Sequence, residues 1–339
     1  MKFKAAALMG AAALALVAGA GSVSAADLAC LITKNNTNAF FVKMKEGAEA
    51  AATAAGLDFQ AYAGITDGDA APQITAIENC VTAGAKGILI TPSNDSVGPA
   101  LKDARAAGIL VISLDTPLGD VEAQDITFAT DNFEAGLLIG KWAAATMGEG
   151  AATAKIAMLN INKQNISVDV LRDTGFLVGF GIEVPDLSVM GSETDPRVIG
   201  HEATDANPAG GLAAMETLLA KDPDINVVFT INEPAAEGAY QALKNAGKEG
   251  QALIVSVDGG CPGVASVKSG VIGATSQQYP LLMASKGIEA IVAFAKDGTK
   301  PTVTEGLTFM NTGVNLITDK PAEGVPSLDS TKGTELCWG

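Results

Sequence analysis

From residue 27 onward the chain alternates short, uninterrupted apolar runs with alanine-rich stretches about ten to sixteen residues long. A run with no polar alternation is a strand buried on both faces, and such strands belong to parallel sheets whose crossovers are helices. The strand candidates are nine: 28–33, 58–62, 87–91, 109–114, 126–129, 155–161, 226–231, 252–257 and 270–276. The helical stretches between them carry their own punctuation. Asn38 is placed to cap the first, its side chain accepting from a free backbone N–H, and Gly56 to close it. Gly84, Gly108 and Gly247 stand just past three others. The pattern predicts βαβ units throughout.

Length then decides how many sheets these units build. The chain has 339 residues, beyond the size at which one core usually stops growing, so two domains are expected. Units before and after about Asp131 look like halves of similar construction. A single large sheet is the competing arrangement, and the length argues against it.

Residues 1–25 read as a signal peptide, with Lys2 and Lys4, an apolar run over 5–20 and a small-residue exit at Val23, Ser24 and Ala25. As a membrane anchor the segment is short and broken by Gly10, Gly19 and Gly21. A lipid anchor on Cys30 fits less well, because Cys30 lies inside a strand-like run. Cleavage leaves 20 basic against 38 acidic residues. A surface so negative repels phosphates, which argues against nucleic acid as a partner.

Four cysteines in an exported chain favour disulfides, although four can pair in three ways. Cys261 with Cys337 would fasten the tail. Cys30 and Cys80 read either as a second bridge or as two buried thiols, since both lie in apolar segments. No CxxC spacing occurs, which argues against a redox or zinc site.

Ligands of open α/β sheets bind beyond the carboxyl ends of the strands, so the residue after each apolar run is the informative one. Here those residues are Lys34, Pro92 with Ser93, Asp115, Asn162, Asn232, Asp258 and Gln277 with Gln278. A sugar presents hydroxyls that donate and accept, and C–H faces that suit aromatic rings. The carboxylates and amides, with Phe40 and Phe41, meet both needs. Singly, an aspartate or asparagine after a strand is often a turn former or helix cap, and a phenylalanine pair is often core. Their joint occurrence at one end of successive strands carries the inference.

At NNTNAFF, ILVISLDTP, VVFTINE, LIVSVDGG and ATSQQYP the chain resembles the ribose-type periplasmic sugar-binding proteins that feed ABC importers. Within that group, GCPGV and the terminal CWG look most similar to fructose-binding members. The resemblance implies the type 1 periplasmic binding protein fold, two doubly wound, Rossmann-like parallel-sheet lobes joined by a three-stranded hinge. It places one lobe at 27–130 plus 279–309 and the other at 131–278 plus 310–339. Thr130 with Asp131, Gln277 with Gln278 and the stretch near Asn311 are the hinge candidates. Asn38, Phe40, Phe41 and Asp115 would hold the sugar from the first lobe, and Asn232, Asp258 and Gln278 from the second lobe and the hinge side. In SVDVLRDTGF either Asp169 or Arg172 would face the ligand, or the two would pair with each other along the helix. Lys34 is a further candidate contact. Two departures stand out: Thr116 where ribose binders carry arginine, and no aromatic residue near Ala206.

The expected partners are a monosaccharide, best guessed as fructose, and the membrane permease of an ABC importer, with the protein itself a periplasmic monomer. No cofactor and no metal are expected. The single histidine, His201, lies in a polar segment away from the strand ends and reads as a surface residue, which argues against a Ser-His-Asp triad. Asp115 and Asp258 would have to be weighed as a glycosidase pair. A sugar-responsive transcription factor would carry a basic DNA-binding segment where residues 1–25 stand. A receptor relaying a sugar-like signal to a membrane sensor is the remaining alternative.

Overall fold

The computed structural model describes Met1 and residues 26–339; the signal-peptide expectation for residues 1–25 therefore lies almost wholly outside the described residues. Strands β1 (Leu28–Thr33), β2 (Asp58–Ala63), β3 (Gly87–Ile90), β4 (Leu110–Leu114) and β5 (Ile126–Ala129) come first in the chain. Then follow β6 (Ile156–Asn160), β7 (Val198–Ala203), β8 (Val227–Thr230), β9 (Leu253–Asp258), β10 (Ala274–Gln277), β11 (Met310–Asn311) and β12 (Asn315–Ile317). They form two six-stranded sheets, ordered β11-β5-β4-β3-β1-β2 and β12-β10-β9-β8-β6-β7. The first five strands and the next five are thus wound in the same order. All pairings are parallel except β10 with β12.

The central strands β1, β3, β4, β5, β6 and β8 are buried along their whole length, as their largely apolar runs require. β10 (ATSQ) is as buried but mostly polar, with Ser276 Oγ donating to the Ala135 carbonyl at 2.7 Å and Gln277 Nε2 to the Gly259 carbonyl at 2.8 Å. The edge strands differ. β7 (VIGHEA) is half-buried through most of its length, needs no continuous apolar run, and is absent from the sequence expectation for that reason. The two- and three-residue strands β11 and β12 are too short to leave a periodic signal.

The chain passes between lobes three times: between Ala129 and Asn132, between Gln277 and Pro280, and between Asn311 and Asn315. Because β11 pairs with β5, Met310 and Asn311 belong to the first sheet, two residues beyond the expected boundary at 309. The tail also crosses back, for Trp338 packs edge-on against Phe40 at 5.4 Å between ring centroids. Its Nε1 donates to the Gln278 carbonyl at 2.7 Å.

Both cysteine pairs are bonded, Cys30 with Cys80 and Cys261 with Cys337. The first ties β1 to the helix Ala71–Thr82, so these are not free thiols. The helix N-caps follow the sequence: the Asn38 side chain accepts from Phe40 N at 2.9 Å, and Gly56 closes that helix with φ of 69°.

Candidate functional site

The carboxyl ends of both sheets face one another across a narrow cleft. Nine of the ten expected ligand residues line it: Lys34, Asn38, Phe40, Phe41, Asp115, Arg172, Asn232, Asp258 and Gln278. Asp67, Ile161, Val168, Ala206 and Ile231 complete the wall.

The two aspartates stand at matching places, after β4 and at the end of β9. Both have left-handed backbone, with φ of 63° at Asp115 and 141° at Asp258. Such conformations cost a non-glycine residue roughly 1–3 kcal/mol each and persist where the surroundings impose them, commonly at functional sites. Asp115 accepts from Thr116 Oγ1 at 2.8 Å through one oxygen. Its other oxygen, Oδ1, is buried and accepts no hydrogen bond among the described residues. The nearest cation is Arg172, with Nη2 3.6 Å away.

Arg172 is the centre of a hydrogen-bond network in the second lobe that reaches the first through Asp115. Its Nε donates to Asn132 Oδ1 at 2.8 Å, Nη1 to the Ile231 carbonyl at 3.1 Å and Nη2 to Gln278 Oε1 at 3.3 Å. Gln278 passes the connection on, its Nε2 donating to Asp258 Oδ1 at 2.8 Å. The helix Ser167–Gly179 can bring Arg172 here because it lies against the helix Asn132–Met147 at glycine contacts. A Cβ at Gly136 would overlap the Arg172 carbonyl.

Asp169 does not share this role. Its carboxylate is fully buried on the other side, accepting from Ile161 N at 2.7 Å and Asn160 Nδ2 at 3.2 Å. It neither lines the cleft nor pairs with Arg172. Burial, against the Asn160 hydrogen bond, pushes its carboxyl up to about 7.

His201 is likewise no free surface residue. It sits in β7 with Nε2 2.7 Å from Glu193 Oε1 and Nδ1 3.2 Å from Asp173 Oδ2. Nδ1 also lies 3.1 Å from Asn160 Oδ1. Burial works against the charged ring, but the hydrogen bonds to Asp173 and Glu193 outweigh it and push His201 up to about 9. The histidine is the cation of an acidic cluster beneath the helix that carries Arg172.

The two asparagines do cap helices as well as line the cleft. Asn232 accepts from Ala235 N at 3.0 Å and donates to the Ala206 carbonyl at 3.1 Å, so one N–H remains for a ligand. Asn38 caps through its oxygen and keeps both N–H groups for the cleft. Phe40 and Phe41 serve both functions too: they face the cleft and belong to the first-lobe core.

Sequence reasoning missed three participants. Asp67 lies four residues past the end of β2, too far along for a search confined to the residue after each strand. Asn132 supports Arg172 from the first turn of a helix. Glu233, behind Asp258, accepts from Gly259 N at 2.8 Å, Gly260 N at 3.0 Å and Thr275 Oγ1 at 2.8 Å. Burial, and next the charge of Asp258, lift the Glu233 carboxyl above its ordinary value. Burial likewise lifts Asp258, against the Arg172 charge and the Gln278 hydrogen bond.

Known proteins share this architecture. The family model described as "Periplasmic binding protein domain" matches residues 29–300. The ribose import binding protein RbsB of Salmonella typhimurium is 31% identical over 290 residues, spanning 84% of this chain and 90% of that protein. The D-allose-binding periplasmic protein of Escherichia coli is 27% identical over 295 residues, or 84% and 89% of the two chains. Among solved structures, an ABC transporter periplasmic solute binding protein from Actinobacillus succinogenes with bound D-allose superposes with a TM-score of 0.75. That pair is 21% identical, and the match covers 91% of this chain and 99% of the other. With two like-wound lobes around a shared cleft and a family match over most of its length, the chain belongs to the periplasmic binding proteins and is a solute-binding protein, not an enzyme.

Proposed function

We propose that this protein captures one monosaccharide outside the cytoplasm and delivers it to the membrane permease of an ABC importer. The observation that carries the reading is the convergence of Asp115, Asp258, Arg172, three amides and two phenyl rings on one cleft. Within it a buried carboxylate oxygen of Asp115 is left without a donor. A ring hydroxyl donates to such an oxygen and accepts from Arg172, and the ring's C–H face lies against phenylalanine.

The relatives named for ribose and allose import support a sugar as the ligand. Fructose is our first expectation, from the resemblance of GCPGV and CWG to fructose binders. Thr116 supports a ligand other than ribose: its hydroxyl serves Asp115, where ribose binders hold a second forked donor. Two disulfides are consistent with export to an oxidising compartment, the periplasm. Closure around a ligand is a general property of periplasmic binding proteins, and the three crossings between lobes are our candidate hinge.

A thermal-shift screen of the mature chain against pentoses, hexoses and polyols tests the reading. Fructose should raise the melting temperature most, because a ligand that binds only the native state stabilises it. Absence of a shift with every monosaccharide would overturn the proposal.

A further inference from the structure

Residues 318–339 follow β12 and lie beyond the 29–300 that the family model matches. Their anchorage is on the second lobe. The helix Ser330–Leu336 lies against the helix Cys261–Ser269, and Gln277 Nε2 donates to the Gly333 carbonyl at 3.1 Å. Gly333 permits that approach, since a Cβ there would come within 2.8 Å of Ile317 in β12. The Cys261–Cys337 bond, with a hydrogen bond from Cys261 N to the Trp338 carbonyl at 2.8 Å, then fixes the end of the chain to the same lobe.

The Trp338 indole goes the other way. It is 7% exposed and packs into the core of the first lobe, edge-on against Phe40, which meets Phe41 in the same manner. Its N–H is taken by the carbonyl of Gln278, in the crossing between β10 and the helix Pro280–Asp297. A buried indole needs such an acceptor, so the docked ring is fully satisfied. Beside it the lobes are not in continuous contact. A groove of about 820 Å³ opens there, with Asn38 and Ala39 of the first lobe and Glu237 and Pro262 of the second in its wall. Trp338 thus spans a gap between the lobes.

We propose that this tail is a clasp between the lobes: Trp338, tethered to the second lobe, docks on Phe40 of the first when the lobes close, and so slows release of the sugar. This rests on the sugar-binding reading above and adds a device outside the cleft. A contact shifts an open–closed equilibrium only if it differs between the two states. Phe40 stands in the first turn of the helix Ala39–Ala55 and the tether sits on the helix Cys261–Ser269, so rotation of one lobe against the other changes the distance between indole and phenyl ring. Burying the indole there favours the closed state. The tether is one residue away, which makes docking intramolecular and leaves little freedom to lose. Because the contact forms only after the lobes have met, it is absent from the first encounter with the sugar and acts on dissociation.

The chain has two tryptophans, and the other, Trp142, is buried in the core of the second lobe. Emission from Trp142→Phe therefore belongs to Trp338 alone. Calorimetry with D-fructose, D-ribose and D-allose finds a sugar that binds, and saturating Trp142→Phe with it should move the emission to shorter wavelength and lessen quenching by acrylamide. Bound tritiated sugar chased with unlabelled sugar should leave Trp338→Ala roughly tenfold faster than wild type, with the association rate, taken from that rate and the calorimetric Kd, within about twofold. Trp338→Phe, which keeps a ring without the N–H, should return dissociation to within about threefold of wild type. Cys261→Ser combined with Cys337→Ser keeps the indole without its tether and should quicken dissociation roughly threefold. Melting curves verify that each variant is folded, and the chase on Trp338→Ala decides the matter if Trp142→Phe is not. A bound sugar that leaves Trp338 emission unmoved would make the residue a fixed strut and overturn the clasp, as would an unchanged dissociation rate in Trp338→Ala. No binding of any of the three sugars would instead remove the reading on which it rests, and the clasp with it.

Discussion

The two lobes share one winding order and put different chemistry at its working edge. β4 and β9 occupy the same place in their sheets, and each delivers an aspartate on left-handed backbone. Asp115 looks across the cleft to the guanidinium of Arg172, a residue of the other lobe. Asp258 has a second carboxylate, Glu233, at its back. The first lobe brings both phenyl rings to the cleft, whereas the second brings the arginine and no aromatic side chain. A repeated scaffold therefore fixes where a side chain stands, and its neighbours fix what charge it can keep there.

The widest test of this contrast is binding. Asp115→Ala and Asp258→Ala should each weaken sugar affinity by roughly a hundredfold or more, since each leaves ligand hydroxyls unpaired in a closed cleft. Calorimetry that finds one variant crippled and the other unaffected would show that a single lobe does the gripping.

A smaller effect lies in the second lobe alone. His201, raised to about 9 from an ordinary 6.5, contributes stability fully present below pH 6.5 and lost as the pH climbs through 9. The shift corresponds to about 3–4 kcal/mol. Asp169 adds a loss in the same direction between pH 4 and 7, because its folded-state carboxyl is also raised. The melting temperature without sugar should thus fall from pH 7 to 9.5. In His201→Gln the slope over that interval should flatten; an undiminished slope would show that the cluster of Asp169, Asp173, Glu193 and His201 is not its source.

The smallest effect separates the aspartates by sign. Asp258→Asn keeps an oxygen for Gln278 Nε2 and removes a charge beside Glu233, so it should stabilise the ligand-free protein by about 1 kcal/mol. Asp115→Asn weakens the ion pair with Arg172 and should destabilise it by a similar amount, about 1 kcal/mol. Denaturant titrations in which both variants move the same way would erase the distinction between the lobes.

What the sequence discloses of all this follows from what each element needs. Most central strands buried on both faces are apolar nearly throughout, and runs such as GILI and LVISL are legible for that reason. Edge strands carry no such requirement, and VIGHEA hides among polar residues. At the cleft, side chains issuing directly from strand ends are legible, and Asp67 is not, because a longer loop delivers it. Asp169 and Arg172 show the limit most clearly. Three residues apart on one helix, they are equivalent by spacing. Tertiary contacts separate them: the backbone N–H of Ile161 claims the aspartate, and Asn132 with Ile231 claims the arginine. His201 is misread for a related reason, since its acidic neighbours Asp173 and Glu193 come from other segments of the chain.

The Cys261–Cys337 bond holds a tail whose next residue, Trp338, buttresses Phe40 in the opposite lobe. Material prepared in a reducing cytosol would keep thiols at both positions, and the indole would then rest on Phe40 untethered. Affinities measured on such material would describe a looser aromatic wall than the oxidised protein has. The redox history of a sample thus belongs beside any dissociation constant determined for it.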